Sequence, residues 1–124
     1  MSKYLNMKPK LFLLKPDFTD NNSDTNGKLY YCPHCAMIEG VLKYYPQLKE
    51  KIEIEYVDFE KPRQAIVDLI GEENQSCPVL IIDIENVNDY LSNYFNRFKN
   101  KLFVNSTDLI TRFFTDNFET GHLH

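Results

Sequence analysis

Three cysteines are the residues of this chain best suited to carry chemistry. Two belong to the tetrapeptide Cys32-Pro33-His34-Cys35, and the third, Cys77, directly precedes Pro78. Cysteines at such spacing in a reducing compartment indicate redox chemistry or metal binding rather than a structural disulfide. A chain of 124 residues also buries enough surface to fold without a crosslink.

The residues around the tetrapeptide predict that Cys32 lies at the start of a helix. Pro33 suits a first helical turn, where its missing N–H costs nothing. The apolar residues that follow recur at the spacing of an amphipathic helix: Ile38, Val41, Leu42 and Tyr45. A thiolate at a helix start is stabilised by the unpaired backbone N–H groups and by the helix dipole. Cys35, one turn later, can reach back to resolve a mixed disulfide, and a protonated His34 adds positive charge nearby.

The rest of the chain predicts one domain over residues 1–124, in which strands alternate with helices. Apolar runs and alternating patterns predict strands at 10–15, 51–59, 79–83 and 102–104. Further helices are expected after Pro62, across 86–99, and after an N-cap at Ser106 or Thr107. A long loop at 17–28 and a polar tail at 119–124 complete the chain.

These elements predict an α/β fold with a central four-stranded mixed sheet flanked by helices. The first strand–helix–strand unit predicts parallel pairing with a right-handed crossover. The last two strands are close in sequence and are expected to pair antiparallel, with the 86–99 helix inserted between them.

Charge and hydropathy exclude several classes of protein. The net charge of −4 argues against non-specific nucleic-acid binding, which needs a basic surface. The longest apolar runs, 11–14 and 79–82, are far shorter than the roughly 20 residues that span a membrane. The start of the chain lacks a secretory apolar segment, so a cytoplasmic location is expected. We expect a monomer or a weak homodimer.

The two cysteine segments together resemble the thioredoxin fold. Cys32-Pro33-His34-Cys35 and Ser76-Cys77-Pro78-Val79 carry this resemblance, which implies that Pro78 is a cis-proline packed beside the first segment. Residues 105–110 resemble the last strand–helix junction of glutaredoxins and of the glutathione transferase N-terminal domain. That resemblance implies that Ser106 and Thr107 hold the γ-glutamyl end of glutathione.

A wider resemblance covers nearly the whole chain. Residues 15–18, 31–40, 59–63 and 71–75 are similar to an uncharacterised bacterial thioredoxin-like family, known as a domain of unknown function. This family implies a fold rather than a substrate, whereas the resemblance to thioredoxin and glutaredoxin implies a thiol–disulfide oxidoreductase that acts on a protein disulfide or on glutathione and needs no bound cofactor. Cys32 and Cys35 are then catalytic. The substrate-binding residues are Tyr31, Pro33, His34, Gln75, Cys77, Pro78, Val79, Ser106 and Thr107.

Two other functions stay open at this stage. Cys32, Cys35 and Cys77 offer three soft ligands for zinc or an iron–sulfur cluster, in a metal-binding or redox-sensing domain. Alternatively, the chain is a non-catalytic interaction module that uses the 86–99 helix as its contact surface. Cys77 itself is a metal ligand, a third redox thiol or a small packed residue.

Two charged residues near the site also have two interpretations each. Arg63 is a solvated or locally paired charge, or else a partner for a substrate carboxylate. Asp58 is a surface ion-pair partner, or else a proton acceptor for Cys35.

Overall fold

The computed structural model describes residues 8–86 and 91–124, and within them the backbone forms five strands and four α-helices. The strands are β1 (Lys10–Leu14), β2 (Glu53–Val57), β3 (Val79–Asp83), β4 (Asn96–Phe98) and β5 (Lys101–Val104). The helices are α1 (Pro33–Tyr44), α2 (Leu48–Lys51), α3 (Gln64–Ile70) and α4 (Thr107–Phe118). Short 3-10 turns at Ile84–Asn86 and Leu91–Tyr94 lie between β3 and β4.

The described strands form one mixed sheet in the order β2-β1-β3-β5-β4. Strand β1 pairs parallel with β2, so the chain crosses over through α1 between them. Strands β3 and β5 pair antiparallel, with Leu80 opposite Val104. Both pairings confirm the sequence prediction, as does the mixed α/β class with flanking helices.

The predicted strand count and the predicted helix across 86–99 are both wrong. Within the described part of this segment, Leu91–Tyr94 is a single 3-10 turn and Asn96–Phe98 is a fifth strand that pairs with β5. Residues 87–90 lie outside the described part of the chain. The helix prediction fails because the aromatic side chains of this segment point to different faces of the sheet. Phe95 packs on one face of the sheet and Phe98 on the other, whereas helical spacing would have placed them on one side.

The core lies on both faces of the sheet because β1 and β3 are buried on both sides. Leu11 and Leu13 point to the face covered by α1 and α4, and Phe12 points to the face covered by α3. The alternation follows from the two-residue period of a strand. The central strands are therefore rigid supports for whatever lies at their ends.

Helix α3 ends at a glycine. Gly71 is the C-cap of α3, with φ +88°, and a side chain there would meet the ring of Phe98 at 2.8 Å. Residues 119–124 form neither helix nor strand, yet Thr120 is buried and Thr115 Oγ1 donates to the Gly121 carbonyl at 3.0 Å. The polar tail therefore folds back on α4.

Among the described residues, no helix has the length and apolar character needed to cross a membrane.

Candidate functional site

Cys32 occupies the N-cap of α1. Its backbone is extended, with φ −79° and ψ 119°, and its Sγ accepts a hydrogen bond from the Cys35 N–H at 3.2 Å. Pro33 fills the first helical turn as the sequence predicted, and that turn contains no acidic residue. The Cys32 sulfur therefore satisfies one of the backbone N–H groups that the start of a helix leaves unpaired.

Cys35 lies beneath Cys32 in a very different environment. Only 3% of Cys35 is exposed, and its Sγ accepts a hydrogen bond from the Leu14 N–H at 3.4 Å. Burial raises the pKa of the Cys35 thiol to about 12, although the Leu14 N–H acts in the opposite direction. The pair thus consists of a partly exposed thiol at a helix start and a protonated thiol under it.

The segment that carries Cys77 meets the helix start directly. The Cys77–Pro78 peptide bond is cis, as the resemblance implied, and Cys32 Sγ lies 3.9 Å from the Cys77 carbonyl oxygen. All three cysteines are free thiols. Burial raises the pKa of the Cys77 thiol to about 11, while the nearby Arg63 guanidinium acts to lower it.

Arg63 is the residue of this region whose role the sequence did not predict. Only 8% of it is exposed, and its guanidinium donates to the Phe59 carbonyl at 2.6 Å and to the Gln75 carbonyl at 2.7 Å. The guanidinium is therefore paired locally with backbone carbonyls, and the interpretation of a solvated charge is wrong. A local sequence signal is absent because the partner carbonyls come from two loops that only the fold brings together.

The Gln75 side chain bonds to backbone groups of the protein. Its Oε1 accepts a hydrogen bond from the backbone N–H of Arg63 at 2.7 Å, and its Nε2 donates to the Glu72 carbonyl at 2.8 Å. The amide is thus engaged within the protein. Val79, another residue expected at the substrate site, is 1% exposed and packs in the core.

The start of α4 reaches the site through a side-chain contact. Ser106 is its N-cap, and the Ser106 Oγ accepts the Leu109 N–H at 3.3 Å. Thr107 Oγ1 lies 3.3 Å from His34 Nδ1, which brings the last helix beside the cysteine tetrapeptide. The structure therefore brings Thr107 to His34, and the Ser106 and Thr107 hydroxyls each have a partner within the protein.

Three large apolar side chains close to Cys32 in the sequence are exposed. The exposed fraction is 59% for Leu29, 66% for Tyr31 and 47% for Met37. Asp58 forms an exposed ion pair with Lys15, at 3.1 Å. Across residues 8–86 and 91–124, His, Cys, Asp and Glu side chains form no group of three or more that is arranged to hold a metal ion.

Comparison with known proteins places the chain in a family. The model of a family described as a protein of unknown function, DUF3088, matches residues 8–122. The chain belongs to the DUF3088 family. This confirms the expectation of an uncharacterised domain family. The match spans both cysteine segments and the start of α4, so the site described above lies within the DUF3088 domain. No curated protein and no solved structure matches the chain.

Proposed function

We propose that this DUF3088 protein has a thioredoxin-like fold and is a thiol–disulfide oxidoreductase. One observation carries the proposal: Cys32 Sγ caps α1 and accepts the Cys35 N–H, while the Cys35 thiol lies buried beneath it. A sulfur at a helix start is suited to attack, and a second thiol one turn later is suited to resolve. The cis-Pro78 segment beside Cys32 supports the same function.

The reaction consists of two exchanges. The Cys32 thiolate attacks one sulfur of a substrate disulfide, so that a Cys32–substrate disulfide forms and the other substrate sulfur leaves as a thiolate. Cys35 then loses its proton to solvent and attacks Cys32 Sγ. The Cys32–Cys35 disulfide forms, and the second substrate sulfur leaves and takes up a proton. Two electrons pass from the dithiol to the substrate.

Each neighbour has a part in these exchanges. The Cys35 N–H stabilises the attacking Cys32 sulfur, and the Leu14 N–H stabilises charge as it develops on Cys35. We propose that the Cys77 carbonyl, 3.9 Å from Cys32 Sγ, aligns the substrate backbone beside the reacting sulfur.

The proposed substrate is a disulfide in a polypeptide. Leu29, Tyr31 and Met37, which are exposed and close to Cys32 in the sequence, are apolar side chains that suit contact with a protein partner. Glutathione is the weaker candidate because Ser106 and Thr107, which would hold its γ-glutamyl end, already bond to Leu109 and His34.

The test is the reduction of insulin disulfides by dithiothreitol, followed as precipitation of the released chains. Catalytic amounts of the reduced protein are expected to accelerate precipitation, and Cys32→Ser is expected to remove the acceleration. The substitution Lys43→Gln, in the last turn of α1 and away from the three thiols, serves as the matched control and should retain it. Equal rates for Cys32→Ser and the unchanged protein would overturn the proposal.

A further inference from the structure

Cys77, the third thiol, has no part in the proposed reaction of Cys32 and Cys35, yet it lies beside them. Cys32 Sγ is 3.9 Å from the Cys77 carbonyl, and a negative charge on Cys32 acts to raise the pKa of the Cys77 thiol. Cys32 and Cys77 are both partly exposed, in contrast to the buried Cys35. Their side chains therefore have more room to rotate towards one another than Cys35 has.

Arg63 gives Cys77 a charge partner that Cys35 lacks. The guanidinium is held in place by the Phe59 and Gln75 carbonyls, and its charge acts to lower the pKa of the nearby Cys77 thiol. A fixed cation favours the thiolate, which is the form that attacks a disulfide. Among the described residues, the neutral Leu14 N–H is the group that acts to lower the pKa of Cys35. Arg63 thus offsets part of the effect of burial on Cys77, whose pKa on balance is raised to about 11.

We propose that Cys77 is a second resolving thiol, so that Cys32 forms a disulfide with Cys77 as well as with Cys35. The inference rests on the proposed function, because Cys32 must first take up the substrate sulfur. The Cys77 thiolate attacks Cys32 Sγ of the Cys32–substrate disulfide. The Cys32–Cys77 bond forms, the Cys32–substrate bond breaks, and the substrate sulfur leaves as a thiolate that binds the proton Cys77 released.

A second exchange connects the two disulfides without any further oxidant. The Cys35 thiolate attacks Cys32 Sγ, the Cys32–Cys35 bond forms and Cys77 leaves as a thiolate. While the Cys32–Cys77 bond exists, it joins the N-cap of α1 to the residue whose carbonyl faces Cys32. The Cys32–Cys77 disulfide is therefore an intermediate that converts into the Cys32–Cys35 disulfide and regenerates the Cys77 thiolate.

The experiment uses Cys35→Ser and the chromogenic disulfide 5,5′-dithiobis(2-nitrobenzoate). Attack by Cys32 releases one thionitrobenzoate, and attack by Cys77 on the resulting adduct releases the other. We expect two equivalents released per chain, an intact mass with no retained adduct, and a proteolytic fragment pair that joins Cys32 to Cys77. Thionitrobenzoate retained on Cys32, alone or with a second group on Cys77, would overturn the inference.

The double variant Cys35→Ser/Cys77→Ser separates this inference from the proposed function. Only Cys32 remains, so the variant is expected to release one equivalent and retain one adduct. If Cys32 in this variant fails to react, the proposed function fails. If it reacts and Cys35→Ser also retains its adduct, only the role of Cys77 fails.

Arg63→Lys in the Cys35→Ser background tests the charge partner. Lysine keeps the charge but loses the forked contacts, so we expect the second release to slow by about tenfold while the first keeps its rate. A circular dichroism melt verifies that the variant is folded. An unchanged second release in the folded variant would contradict the role given to Arg63.

Discussion

Helices α1 and α4 begin in the same way but with different atoms. Cys32 Sγ accepts the N–H of the residue three positions on at 3.2 Å, and Ser106 Oγ does so at 3.3 Å. Both caps have extended backbones, with ψ 119° for Cys32 and 129° for Ser106. The proposed nucleophile is therefore an ordinary helix cap in which sulfur stands where oxygen stands in the other helix.

The first turns of the two helices differ in charge. Asp108 lies in the first turn of α4, where a carboxylate stabilises the helix through its dipole. The first turn of α1 has no acidic residue, and a carboxylate there would disfavour a thiolate. The start of α4 is thus suited to stability and the start of α1 to holding an anion. Thr107 and His34 connect the two.

The largest expected effect comes from replacing the sulfur cap of α1 with an oxygen cap like that of α4. Cys32→Ser should lower the rate of disulfide reduction by at least ~100-fold, because a hydroxyl does not attack disulfides at neutral pH. The free energy of unfolding should change by less than ~1 kcal/mol, since serine is a good N-cap. Insulin reduction and urea unfolding measure the two quantities. A variant that retains its activity, or that unfolds, would contradict this separation of chemistry from capping.

The reverse substitution gives α4 a sulfur cap like that of α1. Ser106→Cys introduces a thiol with the same capping geometry but with Asp108 beside it. We expect iodoacetamide at pH 7 to alkylate this introduced thiol about tenfold more slowly than Cys32, measured by mass spectrometry of the peptides. Adding Asp108→Asn should reduce the difference in alkylation rate between the introduced thiol and Cys32. Equal rates without that second change would show that the charge of the first turn is unimportant.

A smaller effect is expected at the contact between the two helix starts. Thr107→Val keeps the volume but removes the hydroxyl that lies 3.3 Å from His34 Nδ1. A lost hydrogen bond of about 1 kcal/mol should slow Cys32 alkylation by up to about fivefold and shift the ring nitrogen signals of His34 in NMR spectra. Unshifted signals would mean that Thr107 does not position the imidazole.

The smallest effect is expected for the oxygen cap alone. Ser106→Ala removes the acceptor for the Leu109 N–H and should lower the free energy of unfolding by ~1 kcal/mol. Urea unfolding measures the change, with Ser106→Asn as the control that restores a capping oxygen. Equal stability of the alanine and asparagine variants would argue against a capping role for Ser106.

Local patterns predict the parts of the site that depend on neighbours in sequence. Pro33 and the apolar residues after it predict α1, and the residue type of Ser106 predicts a helix cap. The cis-Pro78 beside Cys32 follows from resemblance. The pairing of β3 with β5 also follows from closely spaced strand patterns.

Features that depend on distant parts of the chain are not predicted by these patterns. Arg63 is buried where the Phe59 and Gln75 carbonyls accept its hydrogen bonds, and no sequence pattern near residue 63 predicts these contacts. The aromatic residues at 94, 95 and 98 fit helical spacing, but pairing of β4 with β5 directs Phe95 and Phe98 to opposite faces. Spacing alone does not tell which face of a sheet a side chain will cover.

The central claim is that Cys32 and Cys35 act as one dithiol, and intact mass tests it most directly. The reduced protein is mixed with an excess of insulin, a polypeptide disulfide, then quenched with acid, weighed by mass spectrometry and mapped by proteolysis. The account predicts a mass lower by two hydrogen atoms, no retained insulin chain, and a fragment that contains a Cys32–Cys35 disulfide. An unchanged mass, or an insulin chain retained on Cys32, would contradict it.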